Sequence, residues 1–167
     1  VSGIYTEDEK SVRDFLSDIH MYETYDKLLE NSDAVYIISS PQRHYHDIRY
    51  ALEQGKHVLC ESPITLSEAQ CKELFIIARE NHCVLMDAIK TAYATAYHRM
   101  LLLVKTGIIG NPRSIDATCT SIRSVDMSDP KAMERSWNSI SAWGPTALLP
   151  VLQIFGTDYN DERIITW

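Results

Sequence analysis

Between Ala34 and Pro63 the chain runs strand, loop, helix, strand, and this unit constrains the fold more than any other stretch. Ala34-Val35-Tyr36-Ile37-Ile38 is a continuous apolar run of strand length, His57-Val58-Leu59-Cys60 is a second, and helix-forming residues lie between them. Unbroken apolar runs imply strands buried on both faces, as in a parallel sheet with helices on either side. Parallel strands joined by a helix bring their carboxyl ends together. Ser39-Ser40-Pro41 and Glu61-Ser62-Pro63 are therefore expected side by side on one rim, the place where open α/β sheets bind ligands.

The flanking sequence continues the alternation. Val1 to Tyr5 reads as a strand, Thr6-Glu7-Asp8 as a helix cap with an acidic first turn, and Val12, Phe15, Leu16 and Ile19 as the inner face of the helix that follows. Further helices are expected around Thr24 to Glu30, around Tyr45 to Gln54 with Gly55 as its stop, and from Thr65, where Glu68 completes a capping box. His82 to Met86 reads as another short buried strand. Alternating strand and helix argue for a doubly wound parallel sheet.

After Asp87 the pattern changes. Ala94 to Thr106 reads as a helix stopped by Gly107, and Gly110-Asn111-Pro112 as a turn. From Arg113, Ile115, Ala117 and Cys119 alternate with Ser114, Asp116 and Thr118, the pattern of a strand with one wet face in an antiparallel sheet. Ser124 to Ser141 reads as loop, Thr146 to Phe155 as an apolar helix and Arg163 to Trp167 as a strand. The boundary falls between about residues 90 and 112, giving a partial Rossmann-like domain over 1–90 and the start of an α/β domain with a mostly antiparallel sheet over 91–167.

Composition narrows the partners. A net charge of -7 disfavours nucleic acid, which requires clustered Lys and Arg. Cys60, Cys71, Cys83 and Cys119 are scattered without the close pairs of zinc sites, so reduced thiols in a cytoplasmic protein are expected and no metal is assigned. No apolar run approaches the length of a membrane span, and the amino end lacks the pattern of a secretory signal.

Ala51-Leu52-Glu53-Gln54-Gly55-Lys56-His57-Val58-Leu59-Cys60-Glu61-Ser62-Pro63 closely resembles a motif of the glucose-fructose oxidoreductase and inositol dehydrogenase (Gfo/Idh/MocA) family, and Gly107 to Ile115 is similar to the start of that family's second domain. The resemblance runs from about Ile4 to Gly156. It implies a Rossmann domain for NAD or NADP, a second domain for sugars or cyclitols that often forms the dimer, and hydride transfer between a nicotinamide and a carbinol carbon. Such chemistry needs a base for the hydroxyl proton and a positive neighbour for the developing alkoxide.

Set against that pattern, this chain is read as truncated at both ends. Gly3, Gly55, Gly107, Gly110, Gly144 and Gly156 form no Gly-x-Gly-x-x-Gly, and Tyr5 falls where the resemblance implies a ribose-binding acid. Ser62 occupies the position of the family's catalytic lysine, Thr146 that of its histidine, and Leu149 that of a common aspartate. Lys90 is a candidate substitute cation, or else a solvated surface charge. His44 aligns with a family histidine and is either a rim residue or a surface residue at a helix start; His44 and His46 are two apart without a carboxylate or cysteine to complete a metal set. Thr6 is a ribose contact or a cap. Tyr93, Tyr97, Trp137 and Trp143 either stack on a sugar or pack in a core.

The expected cofactor-binding rim is thus Ser39, Ser40, Pro41, His44, Glu61, Ser62 and Pro63. The expected function is that of a diverged NAD(P)-dependent sugar or cyclitol oxidoreductase whose hydride transfer is weak or lost. The alternatives are a non-catalytic module for a small polar or sugar-like ligand and a dimerisation scaffold. A homo-oligomer is expected from the unpaired sheet edge.

Overall fold

A computed structural model describes residues 1–8, 18–120, 128, 139–163 and 165. The chain divides into two compact units, Val1–Ala88 and Ile89–Trp167.

In the first unit, helix α1 (Tyr25–Glu30) starts at Thr24, whose hydroxyl accepts the Lys27 amide at 3.2 Å and so satisfies one of the donors left free at a helix start. Strand β1 (Ala34–Ile37), helix α2 (Pro41–Glu53), strand β2 (His57–Cys60), helix α3 (Glu68–Glu80) and strand β3 (Leu85–Asp87) follow. The sheet is parallel in the order β1-β2-β3, with Val35 opposite Val58 and Val58 opposite Leu85. That row faces the helices and is buried with Ile37, Cys60, Ile48, Ala51, Leu52, Leu74 and Ala78, the core of the unit. Full burial of side chains such as Ile48, Leu52 and Leu74 contributes about 1.5–3 kcal/mol each.

Several expectations are corrected. Among the described residues the two faces of the strands are unequally covered: Tyr36, Leu59 and Met86, the row between the buried ones, are 52%, 36% and 40% exposed. The described residues show a three-stranded parallel sheet, and the helix expected over its second face falls on residues 9–17, outside the described residues. Apolar runs record what a strand can bury, whereas a covering element decides what it does bury. Helix α2 begins at Pro41, because a proline at the first helical position sacrifices no hydrogen bond. Helix α3 begins at Glu68 behind Ser67, so the Thr65–Glu68 capping box does not form; the Thr65 hydroxyl instead accepts the Ser67 amide and donates to Gln70. His82 adopts φ 55° in the turn after α3, which delays β3 to Leu85. Of the amino-terminal strand, Ile4 forms a single parallel bridge to Met21. Residues 9–17, where the next helix was expected, lie outside the described residues.

The second unit holds a 3-10 turn (Lys90–Tyr93), helix α4 (Thr95–Lys105) and helix α5 (Ser139–Phe155). Gly107, at φ 74°, ends α4 as expected. Tyr97 is buried, and its hydroxyl donates to Gln153 on α5 at 2.6 Å, so this aromatic residue packs within its unit. The antiparallel sheet expected from Arg113 is not found among the described residues. Ile115, Ala117 and Cys119 are half-buried and their neighbours exposed, so the alternation is real, but a ladder needs a second strand and no described segment supplies one. Helix α5 begins at Ser139, earlier than Thr146, and includes Pro145 and Pro150, so 139–141 is not loop. Trp137, most of 121–138 and part of the expected terminal strand lie outside the described residues. No described helix is long and apolar enough to cross a membrane.

Candidate functional site at the strand ends

The parallel register places the residues after β1 and β2 next to each other. The Glu61 amide donates to Ile37 O at 2.9 Å and the Ala88 amide to Cys60 O at 2.8 Å, so the three strands end on one edge. Ser40 precedes α2 and Pro41 opens it. Ser39 donates its hydroxyl to Asp47 Oδ2 at 2.8 Å, and Arg43 lies 3.6 Å from Asp47 and 2.6 Å from Glu7.

His44 is the tie between the loops. It is fully buried, which excludes the surface reading, with Nδ1 2.9 Å from Pro63 O and Nε2 2.8 Å from Ser39 O. Glu61 accepts a hydrogen bond from the Tyr36 hydroxyl, and this bond, with some burial, pushes the Tyr36 phenol up to about 12. Ser62 precedes a cis bond to Pro63, and its Oγ is buried with no hydrogen-bond partner among the described residues. Burial first, then Asp87, Glu61 and Asp47, push the Cys60 thiol up to about 12, so it stays protonated and is a poor nucleophile or metal ligand.

The structure thus brings Ser39, Ser40, Pro41, His44, Glu61, Ser62 and Pro63 to one rim. Lys90 and Thr146 belong to the second unit, Lys90 exposed at the start of the 3-10 turn and Thr146 half-buried on α5. Sequence reasoning passed over Tyr36 and Asp47. Asp47 follows His44 by three residues and precedes Ile48 on the inner side of α2, and a carboxylate in step with an apolar face is the signal that marks it. Tyr36 gives no such sign, because its partner is 25 residues away. His44 and His46 lie on a helix, where residues two apart diverge, and no group of three His, Cys, Asp or Glu gathers among the described residues. Thr6 accepts the Asp8 amide at 3.1 Å, the geometry of a cap.

The fit of a dinucleotide is uneven. Ser62 Oγ offers a buried hydroxyl at the rim. A pyrophosphate needs glycines that let backbone amides approach it, and none of the six is so placed. A Cβ at Gly3 would stand 2.7 Å from His20 O and closer still to the Tyr22 ring, so Gly3 serves packing. Gly55, Gly107, Gly110 and Gly156 serve turns at positive φ, and Gly144 lies inside α5. Among the described residues, the glycines do not fit the diphosphate half of NAD or NADP.

Residues 1–88 match the sequence profile of GFO_IDH_MocA, an oxidoreductase family with an NAD-binding Rossmann fold. Over 100 residues the chain is 36% identical to dTDP-3,4-didehydro-2,6-dideoxy-alpha-D-glucose 3-reductase of Actinomadura kijaniata, covering 59% of this chain and 30% of the relative. It is 34% identical over 95 residues to D-xylose 1-dehydrogenase (NADP(+)) of Hypocrea jecorina, covering 56% and 24%. The chain therefore spans less than a third of the length of these curated relatives. A 3-ketoreductase of Actinomadura kijaniata solved with NADP and TDP-benzene is similar at TM-score 0.58 and 29% identity, over 65% of this chain and 34% of that one. An oxidoreductase structure from Klebsiella pneumoniae shares the fold at TM-score 0.73 and 23% identity, over 93% of this chain and 43% of that one.

Proposed function

Because this chain belongs to the Gfo/Idh/MocA family of NAD(P)-dependent oxidoreductases, we propose that its rim retains the family's ligand-holding role while hydride transfer by this polypeptide is weak or lost. The observation that carries the reading is Ser62, with its hydroxyl buried and unpartnered at the rim, where the family resemblance places a catalytic lysine. A buried hydroxyl without a partner costs roughly 1–3 kcal/mol, which a ligand's hydroxyl or amide would recover. A serine hydroxyl supplies neither the positive charge nor the ready proton that alkoxide chemistry needs. Thr146, where the family resemblance places the histidine, carries a hydroxyl that is no substitute base.

The ligand class is small, polar and sugar-like, held by the Ser62 hydroxyl and the Glu61 carboxylate. The relatives named above support this class, since their names describe work on sugars and one was solved with a nucleotide compound and NADP. We place the protein in the cytoplasm. A second reading, a homo-oligomeric scaffold, draws support from the exposed row Tyr36, Leu59 and Met86 and from β1, which stands at the edge of the sheet among the described residues.

Titration of this polypeptide with NADH and NADPH, read by nicotinamide fluorescence, and with sugars and cyclitols, read by backbone NMR at Ser39–Ser40 and Glu61–Ser62, tests the proposal. Polyol-dependent shifts at the rim without measurable hydride transfer are expected. Robust cofactor-linked oxidation of any sugar alcohol would overturn it.

A further inference from the structure

Helix α5 runs for 17 residues without an acidic or basic side chain. A helix apolar all round belongs in a core, because it has no face suited to water. Among the described residues one row of it is uncovered. Ile140, Leu148, Leu152 and Phe155 are 52%, 53%, 39% and 46% exposed, and with Gly144 they recur every three or four residues, so they lie one above another. Gln153, which bonds Tyr97 of α4, belongs to another side of the helix.

The row is complementary to itself. Reversed about Leu148, it sets Gly144 opposite Leu152 and Ile140 within one residue of Phe155. Gly144 is a notch in it: a Cβ placed there would meet Ile140 Cγ2 at 3.6 Å and nothing nearer among the described residues. Small therefore faces large on both sides of the centre. We infer that this face of α5 docks a second copy of the chain, the two helices crossing antiparallel about a twofold axis at Leu148 so that Leu152 of each copy enters the Gly144 notch of the other.

Charge selects the antiparallel arrangement. Asp158, Asp161 and Glu162, all exposed, follow the carboxyl end of α5, the negative pole of its own macrodipole, while its first turn holds no acidic residue. In an antiparallel pair these carboxylates stand toward the positive pole of the other copy's helix, whereas a parallel pair gathers both sets at one end. The seam itself has no charge to desolvate. One helix face offers less than the roughly 800 Å² per partner of a standard interface, so the pair is weak and depends on concentration. It lies on the second unit and rests neither on the rim reading nor on the exposed sheet row.

The test joins sedimentation equilibrium of the full chain with oxidative cross-linking of single-cysteine additions. Leu148→Cys, at the axis, is expected to form a disulfide-linked dimer above the background of the parent chain, whereas Ile140→Cys does so only when mixed with Phe155→Cys. Leu148→Glu sets two carboxylates against each other and is expected to raise the dimer dissociation constant at least about tenfold. Gly144→Leu fills the notch and is expected to weaken the pair while helix content by circular dichroism holds or rises, because glycine is the poorer helix former; this separates a lost seam from a lost fold. A monomeric parent chain, Ile140→Cys cross-linking to itself as well as Leu148→Cys does, or dimers indifferent to both Leu148→Glu and Gly144→Leu would overturn the pairing. No readout uses a ligand, and Leu59→Glu on the sheet is expected to leave the Leu148→Cys cross-link intact, so the seam and the proposed function can fail separately.

Discussion

Ser62 and Tyr36 show how single polar atoms divide stability from function at the rim. Removing the Ser62 hydroxyl deletes a buried polar atom that makes no hydrogen bond among the described residues. Ser62→Ala is therefore expected to leave the urea midpoint unchanged or raise stability by up to about 1 kcal/mol, while weakening polyol binding at the rim. A large loss of stability in urea titration would show that the hydroxyl is already bonded. Tyr36 behaves in the opposite sense. Its phenol is raised to about 12 by the bond to Glu61, above an unfolded value near 10, so the bond's contribution is complete below about pH 10 and fades as pH climbs through about 12. In Glu61→Gln the late phenolate step, identified by difference from Tyr36→Phe in ultraviolet absorbance, should move back toward 10.

Helix α2 is the element on which both core and rim depend. One side carries Ile48, Ala51 and Leu52 into the core, and its first turns carry Pro41, His44 and Asp47 to the strand ends. Leu52→Ala should cost roughly 2–5 kcal/mol by chemical denaturation, since its side chain is fully enclosed. Thr24→Ala, which removes the cap of the short helix α1, should cost about 1 kcal/mol. If the two variants were equally destabilised, burial would not dominate this unit. The existence of α2 and its stop at Gly55 were legible from the spacing of apolar residues and the glycine. The burial of His44 was not, because an isolated histidine near a helix start looks the same in sequence whether it faces water or two carbonyls.

For the molecule as a whole, the exposed apolar row Tyr36, Leu59 and Met86 makes association the property to measure. Leu59→Glu is expected to cost about 1 kcal/mol of folding stability, because the side chain is 36% exposed on the central strand, and to lower the apparent mass in light scattering at high concentration. A strictly monomeric parent chain would remove the scaffold reading.

The strands Ala34–Ile37 and His57–Cys60, the helices around them and their parallel linkage could be read from residue order, because strand and helix periodicities are local and a helix between two strands leaves little choice of direction. The juxtaposition of Ser39–Pro41 with Glu61–Pro63 follows from that direction alone. Three-dimensional packing decided which apolar rows are covered, that the alternating stretch after Arg113 finds no described partner strand, and that His44 meets Ser39 and Pro63 through both nitrogens. Each of these depends on a surface contributed by residues distant in the chain, and a periodic pattern carries no information about what lies opposite it.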